Sequence, residues 1–439
     1  MRASHALVFL VLGPAGFAAA EPSELVPADA VVAQALAYSL RLKSAEQDVR
    51  AAGATLAQAG AQALPTVSAE ARATYYEGLK ETALSPTLII PEIPDRYSAV
   101  IGVSQPLYTG GRLSSQKQGA SLRRDAARQA LAGTESDVIL EALGAYWDWS
   151  KAFYSLQTMR ASVRRMEAHA LDMRNMQNAG LVTDNDTLAT EVLLERTRLR
   201  LAETERGVAL ARAQIECLTG GPFPESAVPE EAAGRIGGAL PPESEAIQAA
   251  STNRPEILSA DLEARAAARA VRAAKAGRLP QVFASARYEQ ARPNTLIFPP
   301  EDEWQDDAFA GVVLTWDVMD SGLTRGRVLE ALSRAAQADL RRQQVEDRVT
   351  LEVRTALVGL GNALHRVEVA ERAGGSAARN LQSATDLWQN GLARHSDVLD
   401  ADAQLTDAQY EKVAACADVA RAEAAYRHAV GILSGKGGP

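Results

Sequence analysis

The chain is short of cysteine, of aromatics and of long apolar runs, and each shortage closes off a class of protein. Only Cys217 and Cys416 occur in 439 residues, too few for a disulfide framework, so both are expected to be structural. Aromatics make up 5% of the chain. No run of eighteen apolar residues occurs, so no segment reads as a membrane-spanning helix. If such a chain enters a bilayer, it does so by β-strands. The formal charge of -9 argues against nucleic acid as a partner. Histidine is scarce too: His5, His169, His365, His395 and His428 show no ligand spacing, so no metal is expected. With no G-x-S-x-G and no Walker A motif, the reading is not an enzyme and needs no cofactor.

Proline is absent over two long stretches, Leu107 to Gly221 and Glu301 to Gly438. Helices need every backbone N–H after the first turn, and proline lacks one. Within the first stretch Val138, Ala142, Ala145, Trp149, Ala152, Leu156, Met159, Val163, Met166, Ala170 and Met173 alternate in steps of four and three. A shift of 211 residues gives Val349, Val353, Ala356, Leu360, Ala363, Val367, Ala370, Gly374, Ala377, Leu381 and Ala384 in the same register. A sustained 3.5-residue period is a coiled-coil seam. Helices from Arg112 to Asn178 and from Leu323 to Gln389 would each be about 100 Å long.

The same offset relates "GLVTDNDTLAT" at 180 to 190 and "GLARHSDVLDA" at 391 to 401. Each interrupts a helical run. Gly180-Leu181 and Gly391-Leu392 read as helix C-caps. Thr183 or Asp184, and Ser396 or Asp397, read as N-caps of a returning helix. The motif is thus the tip of a helical hairpin, written twice. His395 at the second tip reads as an exposed polar side chain.

Strands are expected where proline is allowed. Val67, Ala69, Ala71, Ala73 and Tyr75 alternate with polar residues, and Tyr97, Ala99, Ile101 and Val103 share a face. In the second half Val282, Ala284, Ala286 and Tyr288 oppose polar positions, with Phe283 the exception, and Ala308, Ala310, Val312, Leu314 and Trp316 align. Period-two patterning over about ten residues suits a tilted outer-membrane strand. Four strands cannot close a barrel, and open edges cannot face lipid, so copies of the chain are expected to share one.

The expected organisation is a signal peptide at 1–20, with Arg2, an apolar stretch and Ala18-Ala19-Ala20 before the cut. No cysteine beside that cut supports a lipid anchor. Repeat 1 occupies 21–219, with strands near 65–78 and 96–107 and a tip near 178–184. A Pro/Gly-rich linker follows at 220–243. Repeat 2 occupies 244–439, with strands near 280–290 and 307–317 and a tip near 389–395. The closing "GKGGP" reads as a tail. The fold class is therefore mainly α with a membrane β-barrel part, built from a duplicated helix–strand–strand–long helix–helix unit.

At this point the sequence resembles the TolC-like outer-membrane efflux proteins. Its carriers are "VSQPLYTGGRLSS" (103 to 115), "NRPEILSADLEARAAARAVRAAKAGRLPQV" (253 to 282), "NAGLVTDNDTLATEV" and "QNGLARHSDVLDADAQL". "TGGRLSS" has the looser counterpart "DSGLTRG", which keeps only Gly322 of the glycine pair. The resemblance implies a homotrimer with a twelve-stranded barrel in the outer membrane and a coiled-coil tunnel extending into the periplasm. It implies docking to a periplasmic adaptor (a membrane fusion protein) and to an inner-membrane pump of RND, ABC or MFS type. The function implied is the outer-membrane channel of a tripartite efflux or type I secretion system; the runner-up is a periplasmic or surface coiled-coil protein or adaptor without a channel. Residue by residue, Asp397 and Asp400 match the aspartates that line the family's periplasmic entrance. The family's gate arginine falls on Ala393 here, which makes Arg394 the candidate gate link. Gly180, Leu181, Gly391 and Leu392 match the adaptor-docking tips. The transported substrate and the cognate pump are not legible.

Overall fold

A computed structural model describes residues 24–85, 88–234 and 240–433. The expected signal peptide, residues 235–239 of the expected linker and residues 434–439, with the expected tail at 435–439, lie outside them. The described chain begins β1 (Glu24–Val26), α1 (Ala28–Tyr38), α2 (Leu40–Ala61), β2 (Thr66–Tyr75), β3 (Thr82–Ser85), β4 (Leu88–Ile90), β5 (Asp95–Tyr108), α3 (Arg112–Asn178) and α4 (Asp184–Thr219). It continues with β6 (Ala227–Pro229), α5 (Glu243–Asn253), α6 (Pro255–Lys275), β7 (Gln281–Arg292), β8 (Gln305–Thr315), α7 (Leu323–Gln389) and α8 (His395–Val430). No described helix is long and apolar enough to cross a membrane.

Both long helices have 67 residues, and their burial follows the 3.5-residue seam. On α3, Val138, Ala142, Trp149, Leu156, Met159, Val163, Met166, Ala170 and Met173 are buried. On α7, Val349, Val353, Leu360, Ala363, Val367 and Ala370 are buried. Towards the end of α7 the small residues Gly374 and Ala377 sit half-buried in the same row.

The described residues form two compact units, and each draws on both halves of the sequence. The first comprises residues up to Tyr38, Ala142–Ile236 and Ala363–Arg421. Its core sets Tyr146, Trp149, Ile215 and Phe223 against Ala28, Val31 and Ala227. Trp149 meets Phe223 edge-on at 4.9 Å between ring centres. Tyr146 Oη donates to the Val26 carbonyl at 2.8 Å and accepts from Glu230 N–H at 2.8 Å. That one hydroxyl ties the ends of the small parallel pair β1–β6 to α3. Burial pushes the Tyr146 phenol up to about 12.

The second unit comprises Ser39–Glu141, Gly237–Asn362 and residues from Ala422 on. Ala246, Ala250, Ile257, Val349, Val353, Ala429 and Val430 form its helical core. Buried Arg254, in the turn before Pro255 opens α6, donates to Glu256 (2.9 Å), Glu352 (2.8 Å) and the His428 carbonyl (2.9 Å). A buried cation is tolerable only when so compensated.

The same unit carries a four-stranded antiparallel sheet in the order β2-β5-β7-β8. The central pair β5–β7 joins the two sequence halves. Directly paired residues share a face, so the register collects the apolar positions. Val67, Val103, Ala286 and Ala310 form one row across all four strands; Ala69, Ile101, Tyr288 and Ala308 form the next. Ser68, Gly102, Arg287 and Phe309 form a row on the other face, where Arg287 pairs with Glu289 at 2.6 Å. Along β5 the apolar residues Tyr97, Ala99, Ile101 and Val103 are exposed, while Arg96, Ser98, Val100 and Gly102 are half-covered. That reverses the arrangement of a water-soluble hairpin, which covers its apolar side. Among the described residues the outer strands β2 and β8 have no partner on their far sides.

Candidate functional sites at the hairpin tips

Both tips lie in the first unit. At the end of α3, Leu181 N–H bonds to the Met176 carbonyl and Gly180 N–H to the Gln177 carbonyl, both at 2.9 Å. At the end of α7, Leu392 and Gly391 bond to Leu387 and Trp388 in the same way, again at 2.9 Å. Two such bonds define a Schellman cap, whose turning residue is left-handed. Gly180 has φ 74° and Gly391 φ 72°, where a side chain would be strained. The leucine that follows each glycine points into open solvent, with Leu181 73% and Leu392 75% exposed. Each is a large apolar residue held outward by a left-handed cap.

The two return helices start differently. Thr183 caps α4: its hydroxyl accepts from Asp186 N–H at 3.3 Å, and Asp186 accepts from Thr183 N–H at 3.2 Å. This is a capping box with aspartate in the third helical position. The Thr183 hydroxyl, and then its backbone N–H, hold the Asp186 carboxyl below its usual range. On α8 the expected caps Ser396 and Asp397 both fall inside the helix, which starts at His395. Arg394 occupies the capping position, and its N–H donates to Asp397 Oδ2 at 3.0 Å. Half of a capping box is present, because arginine has no acceptor to complete it. Arg394 is thus bonded through its backbone; among the described residues its guanidinium forms no ion pair.

Asp397 and Asp400 lie on the exposed face of α8, while Val398, Ala401, Asp402 and Leu405 are buried. The structure places the two aspartates on one free surface near the tip and ties only Asp397 into local structure. His395 departs from the exposed residue the sequence suggests. Its ring packs 5.0 Å from Trp388 and 6.1 Å from His169 between centres, and both its nitrogens are shielded from solvent. Trp388 lies three residues before Gly391 and His169 eleven before Gly180, outside both tip motifs, so the motifs carry no sign of this packing.

A second feature escaped the sequence. Asp402, 1% exposed, accepts from Arg165 Nε at 2.5 Å. Arg165 also donates to Thr406 Oγ1 at 2.9 Å, and Thr406 donates to Ser162 Oγ at 3.2 Å. α3 and α8 are therefore clamped by a buried ionic link just beyond the tips. The only sequence signal was a third aspartate in "DVLDADAQL", two residues after Asp400 and out of phase with the exposed face. Of the two cysteines, Cys416 is partly buried and Cys217 exposed, and both are free.

Comparison with known proteins agrees with this geometry. The family described as "outer membrane efflux protein" matches residues 31–221 and 246–432. Among solved structures, CusC, for which transmembrane channel formation is described, is 18% identical, with 92% of each chain covered and a TM-score of 0.80. The outer membrane protein VceC from Vibrio cholerae is 19% identical, covering 92% of this chain and 96% of its own, with a TM-score of 0.74. The open state of the Neisseria gonorrhoeae MtrE outer membrane channel is 17% identical, covering 92% of this chain and 88% of its own, with a TM-score of 0.76. No curated protein matches the sequence. The likeness to these structures carries the fold, mostly helical with a short strand region. The family match extends through both halves of the duplicated sequence and places the protein at the outer membrane, and the chain belongs to the outer membrane efflux protein family.

Proposed function

We propose that three copies of this chain assemble into a twelve-stranded barrel, and that it is the outer-membrane channel of a tripartite efflux or type I secretion system. The observation that carries this is the four-stranded sheet with two unpaired edges and an exposed apolar face. Unpaired backbone groups and bare apolar side chains are costly in water, and an open edge is costlier in lipid. Joining β2 of one copy to β8 of the next removes every edge. Two copies would give eight strands, whose interior side chains fill; three give twelve and leave a channel.

Substrates would reach this channel from an inner-membrane pump of RND, ABC or MFS type through a periplasmic adaptor. The adaptor would seat on the tips, with Leu181 and Leu392 as apolar contacts held by Gly180 and Gly391. Asp397 and Asp400 of three copies would give six carboxylates at the periplasmic entrance, with Arg394 beside them as the gate link. Such a ring attracts cations and repels anions. The chain acts as a conduit and catalyses no reaction.

Native mass spectrometry of the detergent-extracted protein tests the assembly. The expected result is a trimer and no stable monomer in lipid. Monomers or dimers as the intact membrane form would overturn it. Solubility without detergent once residues 1–20 are removed would favour the coiled-coil protein without a channel.

A further inference from the structure

His395 is the first residue of α8 and stands where a charge is hard to hold. Both ring nitrogens are buried, and neither has a hydrogen-bond partner among the described residues. Two elements pack against the ring: α7 contributes the indole of Trp388 and α3 the imidazole of His169. The carboxylate of Asp186 on α4 acts on it through its charge. The positive end of the α8 dipole adds to the disfavour. Asp186 offers the one opposing attraction, and its carboxylate is already engaged by Thr183.

We propose that His395 is an acid-sensitive latch, which holds the second hairpin tip against the first while neutral and releases it when protonated. A neutral imidazole can sit unpaired against Trp388 and His169 at modest cost. An imidazolium must be hydrated or paired; both nitrogens are shielded and the nearby Asp186 is already held by Thr183, so it has to leave.

Burial first, and the neighbouring His169 second, lower the His395 pKa; Asp186 opposes them. A released ring titrates near the ordinary value of about 6.5. Above that value both states are neutral and docking is unaffected. Below it the released state takes up a proton that the docked state refuses, so docking weakens as pH falls. Asp397, on the same helix, faces solvent and is bonded to Arg394 N–H, so it does not neutralise the ring.

The latch stands on contacts within one chain and not on the channel reading. The full-length protein in detergent is therefore tested by hydrogen exchange of peptides covering 164–190 and 384–402, corrected for intrinsic rates. From pH 7.5 to pH 5.5, protection of these peptides is expected to fall by roughly threefold or more relative to α5 and α6. His395→Phe, apolar and of similar shape, should abolish the fall. His169→Gln removes the neighbouring imidazole that disfavours a charge on His395 and should shrink it. An unchanged wild-type tip, or a His395→Phe variant that loses protection as the parent does, overturns the latch. Should His395→Phe fail to assemble, the His169→Gln response decides alone: an undiminished fall overturns the proposal. Conductance in planar bilayers, read in parallel, reports separately on the channel. A tip that loosens without any conductance would sink the channel reading and leave the latch standing.

Discussion

Asp402 shows how one side chain can depend wholly on another. It is buried in the first unit, and Arg165 is its only cationic partner among the described residues. Removing the arginine leaves an uncompensated buried carboxylate, which costs about 3 kcal/mol or more. Removing the aspartate costs less, because Arg165 is 28% exposed and water can reach it. Arg165→Ala is thus expected to lower thermal stability more than Asp402→Ala, and Arg165→Ala with Asp402→Asn should recover part of the loss. Equal losses in a melting series would show the ion pair to be incidental. Asp397 and Asp400 behave oppositely, since water already surrounds both. Replacing both by alanine should leave assembly intact but weaken cation selectivity and blockade by polyvalent cations from the periplasmic side. Single-channel recordings that match the parent would reduce Asp397 to its bond with Arg394 N–H. Tyr146 gives a pH effect with a definite sign. Its neutral form is favoured by folding, so its contribution is complete below pH about 10 and disappears as pH rises towards about 12. Tyr146→Phe should cost about 1–3 kcal/mol at neutral pH and flatten alkaline unfolding in that window.

At the scale of elements, the two hairpins share a cap and differ in how they return. Both tips need left-handed glycine, and a Cβ there would meet no neighbouring atom. Gly391→Ala should therefore cost only the backbone strain, about 1 kcal/mol, without a clash. Leu181 and Leu392 are 73% and 75% exposed, so the fold depends little on either. Charging both, as Leu181→Glu with Leu392→Glu, should preserve folding and trimerisation while abolishing export; undiminished export in the double variant removes them from adaptor docking. The helical seam, the strands and both Schellman glycines were legible, because helix, strand and αL positions each impose a local period or residue type. The start of α8 was not. Ser396 and Asp397 suit a cap, yet the chain places Arg394 there and uses Asp397 from the third helical position, because the Schellman turn and three further residues determine where helical geometry can resume.

At the scale of the whole molecule stands a four-stranded sheet whose two edges have no partner among the described residues. Its exposed apolar rows suit lipid, and its polar rows suit a water-filled interior. Ile101→Arg, on the apolar face, should cost about 2–4 kcal/mol if the row lies at the bilayer midplane and deplete the outer-membrane trimer. Ser98→Arg, on the opposite face of the same strand, should be tolerated. Equal yields of both variants from the membrane fraction would mean the face does not meet lipid.

By itself the sequence determined the period of each element, the duplication and the pairing of apolar with polar faces, because these depend on residue type at fixed spacing. The family resemblance followed from the order of those same motifs. Only the tertiary structure decided which segments share a core. Each compact unit mixes residues from both halves, and β5 pairs with β7 rather than leaving two separate hairpins. It alone joined Arg165 to Asp402 and enclosed His395 beside Trp388 and His169. Such contacts join residues hundreds of positions apart in the sequence or fall across a turn. They depend on where helices cross, and periodicity along one strand or helix carries no record of that.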